Sequence, residues 1–129
     1  MASLGSQTMA IKPPRDRGGR QYTQKTITGN AVDSGAGVVL VAKDPNNANH
    51  TAVIDKLSYI CAAAETVTIK WADSSDDGII VDAMPVAANS LISLEDLHAN
   101  RANADIKLYT TSASSVTAFI HYHYEGDST

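Results

Sequence analysis

The stretch Glu65-Thr66-Val67-Thr68-Ile69-Lys70-Trp71 carries an apolar side chain at every second position from Val67 onward. A period of two fits a pleated strand, where neighbouring side chains point to opposite faces. Val67, Ile69 and Trp71 therefore share one face, and Thr66, Thr68 and Lys70 the other. The same short period returns along the chain. "YTQKTIT" (22–28) reads as a polar strand and "GVVLVAK" (37–43) as a buried one. "TAVIDKLSYIC" (51–61) alternates with Val53, Leu57, Tyr59 and Cys61 on one face and Asp55 as an exception. "IIVDAM" (79–84) is a further strand that Pro85 is expected to end. "IKLYTT" (106–111) and "SVTAFIHYHYE" (115–125) read as a closing pair joined by the small-residue turn "SASS".

Turn signals separate these runs. "DPNNANH" (44–50) and "DSSDDG" (73–78) are dense in residues that favour tight reversals. Only "NSLISLEDLHANRANAD" (89–105) is ambiguous. Leu91, Leu94 and Leu97 fit either one helical turn or a wide loop with a short strand. About eight short strands at this spacing, without a long helical period, predict an all-β fold: a single jelly roll or β-sandwich of antiparallel strands. The chain of 129 residues is the size of one domain, and its 43% hydrophobic content suffices for one core.

The head of the chain differs in kind. Residues 1–25 are expected to form an extended basic arm, and residues 26–129 the sandwich. Pro13-Pro14 disfavours helix, and Gly18-Gly19 forms a joint. Stretched out, residues 1–21 would reach on the order of 70 Å. Residues 1–30 hold Lys12, Arg15, Arg17, Arg20 and Lys25 against Asp16, a net charge of +4, whereas residues 31–129 sum to −8. A basic head on an acidic body suggests two contact surfaces of opposite sign. Arginine forks in "RDRGGR" (15–20) suit phosphates. They suit an acidic protein surface at least as well, and no aromatic residue but Tyr22 stands near, so no nucleic-acid partner is expected.

Several motifs for chemistry were weighed. His121 and His123 share one face of the last strand. Two imidazoles there would be half of a metal site, and the His-x-His resembles that of cupins. In cupins a carboxylate follows a few residues on and a third histidine lies on a later strand. Here Glu125 follows His123 by only two, and His50 and His98 lie in expected loops. The pair is thus read as outward-facing or at a subunit interface, with no metal. Val116, Ala118, Ile120, Tyr122 and Tyr124 form the more apolar face. Asp73, Ser75, Asp77 and Gly78 stand as in a calcium loop, but Met84 occupies the place of the bidentate glutamate. Cys61 is the only cysteine, which excludes an intrachain disulfide and a cysteine-rich zinc site. No serine lies in a nucleophile elbow, and no phosphate loop or dinucleotide fingerprint occurs. No catalytic residue and no cofactor is expected. The N-terminus lacks a signal pattern, and the longest apolar runs, such as "VVLVA" (38–42), are too short to span a bilayer. No membrane partner is expected.

Residues 56–124 carry a resemblance: the "LSYI" strand, the "TVTIKW" strand, the turn after it, a proline-containing bend, and then "IKLYTTSASSVTAFIHYHY". Together these resemble the small jelly-roll decoration (cement) proteins of tailed-bacteriophage heads. Leu108, Thr111, Ser112, Ser114, Val116 and Tyr122 or Tyr124 occupy the places of the family's closing strand. Asn103-Ala104 stands where the family often has glycine. The resemblance covers about half the chain, and its motifs are structural. It implies a non-enzymatic virion protein on the outer capsid surface, bound to the major capsid protein and often trimeric. In that reading Lys12, Pro13, Pro14, Arg15, Arg17 and Arg20 form a capsid-binding arm. Two other readings keep the fold. One is a fibre or spike domain that binds a host receptor through Tyr22, Tyr59, Tyr109 and Tyr122 or Tyr124. The other is a small cupin-like metal-binding protein using His121 and His123.

Overall fold

The computed structural model describes residues 23–33, 35–73 and 77–126. They form eight strands: β1 (Thr23–Asn30), β2 (Val38–Val41), β3 (His50–Cys61), β4 (Glu65–Ala72), β5 (Asp77–Val86), β6 (Leu91–His98), β7 (Asp105–Tyr109) and β8 (Ser115–Gly126). Two four-stranded antiparallel sheets result, with orders β1-β8-β3-β6 and β2-β7-β4-β5. First pairs with last, second with seventh, third with sixth and fourth with fifth. That is one long hairpin rolled into a sandwich, the jelly-roll order.

The core lies between the sheets, where each strand's apolar alternation meets the other's. Val67, Ile69 and Trp71 of β4 face Leu57, Tyr59 and Cys61 of β3, with Ile106 and Leu108 of β7 and Val116, Ala118 and Ile120 of β8; all are buried. At about 25 cal/mol per Å² of apolar surface, this shared layer is the main stabilising term. Gly78 is required where β5 passes Trp71. A Cβ there would lie 2.1–2.5 Å from the indole ring.

The strands differ from the sequence expectations in five places. β1 begins at Thr23, so residues 23–25 belong to the sandwich and not to the arm. The rest of the expected arm, including Lys12, Pro13, Pro14, Arg15, Arg17 and Arg20, lies outside the described residues. Pro85 does not end β5; it pairs with Thr66 inside the strand, which is tolerated because β5 is a sheet edge. The ambiguous segment forms strand β6 with no helical turn. Its helix-like spacing comes from Asp96, whose φ of 57° switches the alternation, so that Ile92 and Leu94 and then Leu97 all turn inward. A similar switch occurs in β3. The register with β8 slips between Ile54 and Lys56, a bulge that places Ala52 and Ile54 in the core and Val53 on the outer face. Finally, β7 and β8 are not a pair. β7 lies between β2 and β4, and β8 between β1 and β3, so the intervening turn crosses from one sheet to the other.

Candidate functional site

The outer face of the β1-β8-β3-β6 sheet gathers more polar and aromatic chemistry than any other described surface. The register builds it in rows. Gln24 of β1 stands beside His121 of β8, then Lys56 of β3 and Glu95 of β6. The next row is Thr26, Phe119, Ser58 and Ser93, and the third is Thr28, Thr117, Ile60 and Leu91. Phe119 is 46% exposed and Leu91 60% exposed on this face, while Ile79 is 59% exposed in the opposite sheet. Around Phe119 a shallow cleft of about 360 Å³ is lined by Gln24, Thr26, Lys56, Ser58 and His121. The face is thus a hydroxyl-rich surface with an aromatic centre.

His121 and His123 both belong to this outer face, as the apolar alternation of Val116, Ala118 and Ile120 requires. Their settings differ. His121 is half-buried beside Lys56. His123 is only 4% exposed. Its Nδ1 lies 2.8 Å from Asp55 Oδ2 and its Nε2 2.8 Å from Glu125 Oε2. The β3 bulge brings Asp55 into reach, which explains why that residue broke the alternation. The two carboxylates thus sit at opposite ends of the ring, one at each nitrogen. Among the described residues no group of three or more histidine, cysteine, aspartate or glutamate side chains is arranged for a metal ion.

The other singled-out residues fall elsewhere. His50 opens β3 and is not the loop residue expected: Nδ1 lies 2.7 Å from Asp44 Oδ2, Asn47 Nδ2 is 3.2 Å from Nε2, and the ring stacks on Tyr124. His98 is exposed at the end of β6. In the calcium-like stretch, Arg101 donates to Asp73 at 3.3 Å and lies over Trp71. Gly78 and Ile80 belong to β5, and Ser75 lies outside the described residues. The tyrosines expected to form a receptor patch are not assembled. Tyr59 is wholly buried. Tyr109 sits in the opposite sheet beneath Lys70, while Tyr122 lies beneath Lys25 and Tyr124 donates to the Ala42 carbonyl. Tyr22 lies outside the described residues. Burial pushes the Cys61 thiol up, with a further push from the Glu65 charge, so Cys61 is an inert core residue.

Two important residues were missed by sequence reasoning. Phe119 stands two residues before His121 in β8, and that alternation is the signal that places it on the outer face. Glu65 begins the alternation of Val67, Ile69 and Trp71, and that signal places it inward. It is 5% exposed. Its carboxylate accepts from the Ser112 hydroxyl at 2.6 Å, the Ser114 hydroxyl at 2.5 Å, the Ser112 amide at 3.0 Å and the Thr111 hydroxyl at 3.2 Å. These bonds fix the turn that carries the chain from β7 to β8, and so set the height of Phe119 and both histidines on the outer face.

Comparison with protein families finds no family model that matches this chain, and comparison with curated proteins finds no match.

Proposed function

We propose that this chain is a non-enzymatic structural protein that binds the outer surface of a phage capsid and reinforces it. It docks through the outer face of the β1-β8-β3-β6 sheet and through the basic segment leading into β1. The observation that carries this reading is Phe119, an exposed aromatic centred on a hydroxyl-rich sheet face. Such an anchor with a polar rim is the usual anatomy of a protein–protein contact. The jelly-roll strand order agrees with the decoration-protein resemblance. Charge adds direction: the +4 of residues 1–30 complements an acidic capsid patch and enters the sandwich at β1, beside Phe119. Ordering a long segment costs entropy, so affinity requires many contacts or several attached copies.

The test is capsid occupancy at graded protein concentration. Phe119→Asp is expected to lower occupancy about tenfold or more, because hot-spot aromatics carry about 2 kcal/mol or more. Its thermal melt should match the parent, since Phe119 is outside the core. Deletion of residues 1–20 should weaken binding independently, and added salt should weaken the parent more than the deletion. Full occupancy by both variants would refute the proposal.

A further inference from the structure

An open sandwich has four edge strands, here β1, β6, β2 and β5. Unpaired edges invite another strand, and folded proteins usually blunt them. Three are blunted. β2 has four residues and a register shift. β5 carries Pro85, two register shifts and Ala83 at φ 48°. β6 carries Glu95 and Asp96, the latter at φ 57°. β1 carries a single charge, Lys25, but no proline, no register shift and no residue at positive φ. It pairs with β8 over eight consecutive residues, Thr23–Asn30, without a shift. Among the described residues β8 is its only ladder partner, so alternate amides and carbonyls along β1 point away from the sheet.

We propose that two copies of this chain associate by antiparallel pairing of β1 with β1 about a twofold axis at Ile27. The β1 sequence is complementary to itself in that register. Thr26 meets Thr28 of the second copy, Gln24 meets Asn30, and Ile27 meets Ile27. Threonine pairs and amide pairs suit cross-strand contact. Ile27 is only partly buried in the single chain, and pairing covers it.

Lys25, the one charge in β1, selects this register. It points inward, with Nζ 5.1 Å from the centroid of the Tyr122 ring. Centred on Ile27, it faces Gly29 of the second copy and meets no side chain. Centred on Lys25 it would face its own copy. The basic heads enter at Thr23, so antiparallel pairing sends them off at opposite ends and avoids their repulsion. The product is an isologous, closed dimer with one continuous eight-stranded sheet. Phe119 of each copy then lies on the same outer face, three strand spacings or roughly 15 Å apart. This inference does not depend on what the outer face binds.

The test uses the full chain in sedimentation velocity over a roughly hundredfold concentration range. The parent should show a monomer–dimer equilibrium, and amides of Thr23–Asn30 should gain hydrogen-exchange protection as dimer forms. T26K/T28K places lysine against lysine twice per dimer and should weaken dimerisation about tenfold or more. T26K/T28E places lysine against glutamate and should restore it. Thr26 and Thr28 are both exposed, so melts report that each variant folds. A parent that stays monomeric, a trimer, or a dimer indifferent to both charge variants would overturn the pairing. A parent that dimerises only after deletion of residues 1–20 would also overturn it, by making the chain's own head the occupant of the edge.

Discussion

Replacing Glu65 is expected to loosen the β7–β8 crossing, and the size of the effect follows from its hydrogen bonds. Four donors converge on a carboxylate that is nearly inaccessible to water. A bond to a charged group contributes about 1.5–3 kcal/mol, but the four do not add. Thr111, Ser112 and Ala113 are exposed, so their polar groups can turn to water when the carboxylate is gone. Glu65→Ala is therefore expected to cost about 3 kcal/mol, a large share of the 5–15 kcal/mol typical of a domain. Glu65→Gln keeps the shape. Its carbonyl accepts from Ser112 and Thr111 while its amide donates to the hydroxyls of Ser112 and Ser114, which can rotate to accept. Only charge assistance is lost, about 1 kcal/mol.

Acidity separates this account from a simple packing effect. Burial pushes the Glu65 carboxyl up, but the hydroxyls of Ser112 and Ser114, the Ser112 amide and Thr111 together outweigh it. The group ends below its ordinary value of 4.5. The folded state thus holds its ionised form more tightly than the unfolded chain does. Its contribution is complete above the unfolded value and is lost as pH falls below 4.5 toward the folded value. Urea unfolding followed by fluorescence of Trp71, the only tryptophan and a buried one, measures this directly. The stability gap between parent and Glu65→Gln should be constant from pH 6 to 8 and narrow in acid; other carboxylates, Asp44 among them, cancel in the difference. Parallel curves down to pH 3 would refute the role given to the charge. An unchanged Glu65→Ala would refute the role given to the turn.

Other substitutions test separate parts of the fold. Among the described residues the buried Tyr59 hydroxyl meets no hydrogen-bond partner, so Tyr59→Phe is expected to be neutral or to stabilise by up to about 1 kcal/mol; a clear loss in urea unfolding would contradict this. Gly78→Ala drives a methyl into the Trp71 ring and should cost about 1–3 kcal/mol with a shift in tryptophan emission; an unperturbed spectrum would contradict the close approach. His123→Phe removes the ring that Asp55 and Glu125 both contact and should destabilise by about 1–3 kcal/mol, read by the same unfolding curves; no change would mean the triad is energetically idle.

Much of the sandwich was legible because alternation is a local property. "TVTIKW" assigned its faces from six residues, and β8 divided into an apolar face and a histidine face in the same way. The readings failed where one residue changed the phase. Asp96 at φ 57° made β6 look helical, and the bulge at Asp55 moved Val53 to the outer face. No local pattern marks these switches, because they depend on the ladder to a neighbouring strand. The site shows the same division. Alternation put His121, His123, Phe119 and Glu125 on one side, but only register brought Asp55 to the far edge of the His123 imidazole.

The sequence by itself determined the all-β class and the two faces of most strands, since a period of two is written residue by residue. Only the tertiary structure decided which strands are neighbours. β7 and β8 adjoin in sequence yet lie in opposite sheets, because each finds its ladder partners far away along the chain, and Glu65 fixes the turn that separates them.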